Sequence, residues 1–173
     1  MKNKFFTSWQ ILFLLLVGIL VNSCGDDFSY QKPVQQRIAA IEASINGLNK
    51  PEYFKQIGSS GDDVLSLYKV FSLYVSSFKR HGNEKILEFN AFDMSKSWSG
   101  TVSVTVLLIN NRIDKPDPKK YDQGSEVMSK LLDLGLPDKL YLDFKRTGPE
   151  EYKLVAVGYP FLYKWILLYG AMN

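Results

Sequence analysis

Cysteine and histidine are nearly missing from this 173-residue chain: each occurs once, as Cys24 and His81. A single cysteine excludes a disulfide within the chain and any cysteine-based zinc or redox centre, so the fold must rest on packing. A single histidine leaves His81 as the only residue around which a Ser-His-Asp or Cys-His arrangement could be built. Its neighbours Lys79, Arg80 and Gly82 read instead as a helix C-terminus, where cations meet the negative end of the helix dipole. A glycine-rich phosphate loop, a dinucleotide fingerprint and a cofactor lysine motif are also missing, and Gly58-Ser59-Ser60-Gly61 lacks the spacing of a nucleophile elbow. No catalytic residue, cofactor or metal ligand is assigned, and a non-enzymatic reading is preferred.

Basic runs are missing too. Lys2 and Lys4 supply two of the 21 basic residues, and residues 1–23 contain no acid, so the rest of the chain carries 19 basic against 18 acidic residues. So balanced a charge is no footprint of a nucleic-acid partner. Asp114, Asp117, Asp122 and Glu126 cluster near Pro116 and Pro118, but their spacing fits no calcium loop, and Lys115, Lys119 and Lys120 would oppose a cation. Asp62-Asp63 and Glu150-Glu151 are the carboxylate pairs available to glycosidase chemistry. Each has a simpler place, at a helix start and in a turn.

Long apolar runs are scarce. The stretch from Ile11 to Val21 is 11 residues, about half of what a membrane-spanning helix needs, and it follows the short positive opening Met-Lys-Asn-Lys. This is the pattern of an export signal. Val21-Asn22-Ser23-Cys24 ends it with an aliphatic residue, a tolerant position, a small residue and the cysteine. Those residues resemble the lipobox of bacterial lipoproteins, although Asn22 stands where that family more often has a small or apolar residue. The resemblance covers residues 1 to 24 and implies that Cys24 takes a diacylglyceryl group, is cut free of the signal and is acylated, for example with palmitate, at its new amino terminus. Gly25, Asp26 and Asp27 further resemble a sorting signal toward the outer membrane or cell surface. The expected organisation is a signal peptide over 1–23, a lipidated cysteine and tether over 24–32, and one domain over 33–173.

In the domain, Val34, Ile38, Ile41, Ile45 and Leu48 recur at spacings of four, three, four and three, which predicts a helix opened by Pro33 and stopped by Asn46-Gly47. Pro51 starts a short helical piece through Ile57. Ser60 and Asp63 have capping-box spacing ahead of a third helix carrying Val64, Leu67, Phe71 and Val75. The period then falls to two. Strands are expected over Ile86 to Phe92, Thr101 to Leu108, Leu140 to Phe144 and Tyr152 to Tyr159, the first two pairing antiparallel and the last two forming a hairpin. A short helix over Ser125 to Leu134 and an apolar segment over Phe161 to Tyr169, strand or helix, complete the chain. Helices first and strands later predict an α+β fold, N-terminal helices packed on a mostly antiparallel sheet. The order also looks like the cone-shaped cystatin-like or NTF2-like folds, an architectural alternative without a residue motif behind it.

Aromatic residues make up 14% of the chain, enough to fill a core and leave rings for a surface. Trp98, just ahead of the strongest strand, and Tyr163 and Trp165 in the C-terminal quarter are the candidate partner-binding rings. Two functions stay open: a binding module for a protein, glycan or envelope component, held to the membrane through lipid on Cys24, and an extracytoplasmic pocket protein that binds or enzymatically processes a small apolar ligand.

Overall fold

A computed structural model describes residues 28–59, 61–78, 84–112 and 136–158. The sequence order holds: three helices, α1 (Gln31–Asn46), α2 (Lys50–Phe54) and α3 (Asp62–Ser76), precede four strands, β1 (Leu87–Lys96), β2 (Thr101–Asn110), β3 (Lys139–Arg146) and β4 (Tyr152–Gly158). The strands form one antiparallel meander in the order β1-β2-β3-β4. The fold class is α+β, as the change of period predicts. The expected helix at 125–134, most of the acidic loop, the segment 161–169 with Tyr163 and Trp165, and Cys24 and His81 lie outside the described residues.

Period two decides which face of the sheet is covered. Val102, Val104 and Val106 of β2 align with Phe144, Leu142 and Leu140 of β3, and all six are buried. Against them pack Val34, Ile38, Ile41 and Ile45 of α1 and Val64, Leu67, Phe71 and Val75 of α3, the apolar stripes of the two long helices. Burying one such side chain contributes roughly 1.5–3 kcal/mol, so the core stripe dominates the fold.

The helix ends depart from expectation in informative ways. The first described element is a 3-10 turn over Phe28–Tyr30, and α1 opens at Gln31, ahead of Pro33, because Tyr30 is itself buried in the core. The far end of α1 is a Schellman motif, with Asn49 N–H donating to Ser44 O at 2.8 Å and Leu48 N–H to Ile45 O at 3.1 Å. Its left-handed residue is Leu48, with φ of 54°, and not the adjacent Gly47. Asn49 then caps α2 through Glu52 N–H at 3.1 Å. Among the described residues no side chain caps α3, whose first turn is preceded by Gly61. Asp63, read with Ser60 as a capping box, accepts from Val157 N–H of β4 at 2.7 Å, while Ser60 lies outside the described residues. An ordered carboxylate near the start of α3 thus serves the sheet.

Candidate functional site

Helix α1 runs antiparallel to β1 along the sheet edge. Its C-terminal Asn46 accepts from Ile86 N–H at 2.9 Å and Leu87 N–H at 3.0 Å, and donates to Leu87 O at 2.7 Å. One turn earlier Glu42 accepts from Phe89 N–H at 2.8 Å through Oε2 and pairs with Lys85 Nζ at 2.6 Å through Oε1. Further along, an open groove of about 350 Å³ lies between Gln35, Ile38 and Ala39 of α1 and Asn90 and Ala91 of β1, with Glu42 and Lys85 at one end. The volume falls at the small end of ligand clefts. Glu42 is the buried acid of this groove, and both of its oxygens are engaged. The Glu42 carboxylate hydrogen-bonds and attracts the Lys85 ammonium and so raises its pKa, against a smaller opposing effect of burial. This pair is built to close an edge, and it holds no free base or nucleophile.

The sheet face turned away from the helices carries a different chemistry. Tyr141 of β3 stands between Thr105 of β2 and Gly158 of β4, and is 51% exposed. Leu107 and Ile109 lie on the same face of β2, half-buried and exposed respectively. Phe92 joins them because it alternates with Leu87, Phe89 and Ala91, and its ring is 54% exposed; the bulge between Ala91 and Asp93 shifts the residues beyond it, setting Met94 opposite buried Val104. Lys139 Nζ lies 5.8 Å from the centre of that ring. Around this apolar group the face is polar, with Ser103 donating to Asp143 at 2.7 Å.

Trp98, the described member of the candidate aromatic set, stands on neither surface. It occupies the β1–β2 turn, closed by Gly100 N–H donating to Ser97 O at 3.0 Å, and its side chain is fully exposed. Gly100 has a φ of 80°, a left-handed backbone that favours glycine at this corner. Phe92 and Tyr141 escaped the sequence reading. Tyr141 had a signal, an aromatic ring out of phase between Leu140 and Leu142. Phe92 had one as well, since alternation places it out of phase with Leu87 and Phe89 and so on the outer face.

Among the described residues no group of three or more His, Cys, Asp or Glu side chains is placed to hold a metal ion, and no helix is long and apolar enough to cross a membrane. No protein-family model, curated protein or solved structure matches the chain.

Proposed function

We propose that the chain is a bacterial lipoprotein, anchored by lipid on Cys24 in the cell envelope, whose α+β domain is a non-enzymatic binding module for a protein or envelope component. The observation that carries this reading is the sequence Val21-Asn22-Ser23-Cys24 directly behind an 11-residue apolar stretch. Gly25-Asp26-Asp27 supports the outer membrane or cell surface as its site. The domain supports binding over catalysis. Its exposed aromatic and aliphatic side chains, Phe92, Ile109 and Tyr141, share one sheet face with half-buried Leu107, and rigid rings with a polar rim suit a macromolecular contact. The groove beside α1 favours the second reading, a small-ligand protein. It ranks below the first because its buried acid is committed to Lys85 and Phe89.

Replacing the cysteine tests the anchor. Cys24→Ala is expected to abolish acyl labelling and to move the protein from the detergent phase to the aqueous phase in detergent phase partitioning. The domain should still unfold cooperatively, since Cys24 precedes its first described element. A mutant that stays in the detergent phase as the parent does would place the anchor elsewhere.

A further inference from the structure

The antiparallel course of α1 along β1 puts two points of the chain at the same end of the domain. Asn46 meets Leu87, Glu42 meets Phe89, and at the other end of both elements Lys96 Nζ lies 5.7 Å from the centre of the Tyr30 ring. The turn end of the β1–β2 hairpin therefore sits against the residue that precedes α1. Two residues beyond Lys96 is Trp98, fully exposed, and two residues before Tyr30 is Phe28, 56% exposed. From Phe28 back to Cys24 the chain covers four residue steps, a reach of at most roughly 14 Å. The opposite end of α1, 16 residues away, is about 24 Å further off.

We infer that the tip of the β1–β2 hairpin is a second membrane contact, with Trp98 seated in the interfacial layer of the same bilayer that holds the lipid on Cys24. This inference rests on the lipoprotein reading. Indole is the side chain best suited to that layer, because its broad apolar ring and single N–H match the boundary between acyl chains and headgroups. A fully exposed tryptophan at the same end of the domain as an exposed phenylalanine, the end nearest a short tether, has an apolar surface within reach. The charges at this end are mixed. Lys96, Lys145 and Arg146 stand with Glu150 and Glu151 of the β3–β4 turn, and Asp26 and Asp27 adjoin the anchor. The contact therefore rests on the rings and not on attraction to anionic lipid. The consequence is orientation: two contacts hold the domain with α1 and the strands rising from the membrane, and the open sheet face turned sideways to a partner.

The test uses the full-length lipidated protein in phosphatidylcholine vesicles, with and without bromine on the acyl chains near the headgroups. After removal of residues 1–23 the tryptophans are Trp98 and Trp165. Bromolipid is expected to quench part of the parent's emission, and Trp98→Phe is expected to lose most of that quenching while floating with the vesicles as the parent does. Raising the salt concentration should leave the quenching unchanged. Unaltered quenching in Trp98→Phe, or no quenching in a parent that floats, would overturn the hairpin contact and leave the anchor standing. A parent that fails to float would overturn the anchor, and the hairpin contact with it.

Discussion

Along the outer edge of β1 the groups that cover the backbone are side chains of α1, whereas along β4 the cover starts as backbone. Asn46 and Glu42 reach the N–H groups of Ile86, Leu87 and Phe89 from a helix. On β4, Leu154 exchanges hydrogen bonds with the connection between α2 and α3, donating to Gln56 O at 2.9 Å and accepting from Gly58 N–H at 2.7 Å, and Asp63 completes the edge at Val157. An open four-stranded sheet has two such edges, and an uncovered edge is a template for unwanted strand pairing. The two solutions differ in what they tolerate. A side-chain cap depends on a few polar atoms kept out of water, while a backbone cap depends on close approach.

If that difference is right, removing polar atoms should hurt most at β1. Asn46→Ala orphans the N–H groups of Ile86 and Leu87 and the carbonyl of Leu87 at a buried site, and each unsatisfied group costs about 1–3 kcal/mol. Allowing for relaxation, urea unfolding should show a loss of about 3 kcal/mol. A loss below about 1 kcal/mol would mean that water replaces the cap.

Adding bulk should hurt at β4. A Cβ on Gly58 would lie 2.9 Å from Lys153 Cβ and 3.3 Å from Val155 Cγ1, atoms near the β4 backbone that cannot swing away. Gly58→Ala is expected to cost about 2 kcal/mol through this overpacking, read by the same unfolding curve. Equal stability of parent and mutant would show that the connection can lift off β4 at no cost.

Charge-removing, near-isosteric swaps sharpen the comparison at smaller scale. Glu42→Gln keeps an acceptor for Phe89 N–H and loses the ion pair with Lys85, so a loss of about 1 kcal/mol is expected. Asp63→Asn keeps an acceptor for Val157 N–H at a half-exposed site and should stay within about 0.5 kcal/mol of the parent.

The smallest effect concerns pH. The Lys85 pKa is raised in the folded protein, so its contribution is fully present below the ordinary lysine range and fades as pH climbs through the folded value. The stability gap between parent and Lys85→Met should therefore be small and flat from neutral pH to the start of that range, then close above it. The Lys85 side chain is 62% exposed, so salt should narrow the gap as well. A gap that widens with rising pH would contradict the pairing with Glu42.

Much of this architecture is legible without coordinates. The apolar period of Val34 to Ile45, the turn from period 3.6 to period two after the third helix, and the alternation of Val102, Val104 and Val106 each follow from local geometry. So do the helices, the strands and the class α+β. Local rules failed at Leu48, where a leucine takes the left-handed position beside an available glycine, and at Met94, which a bulge returns to the core face opposite Val104. They also missed the bond from Val157 to Asp63, for a different reason. Capping patterns are read over three or four residues, and Val157 is 94 residues away from Asp63.

The sequence by itself determined where the apolar stripes lie, that the fold must stand on packing without disulfides, and that Cys24 carries a lipobox-like context. Only the tertiary structure decided which polar residues are structural. Asn46 reads as part of a helix stop and Glu42 as an ordinary surface position of an amphipathic helix, yet they meet β1 at separations of 40 and 47 residues. The physical reason is that hydrophobic periodicity encodes which face of an element turns inward, whereas the pairing of a buried carboxylate or amide with a particular backbone N–H depends on where two distant elements come to rest.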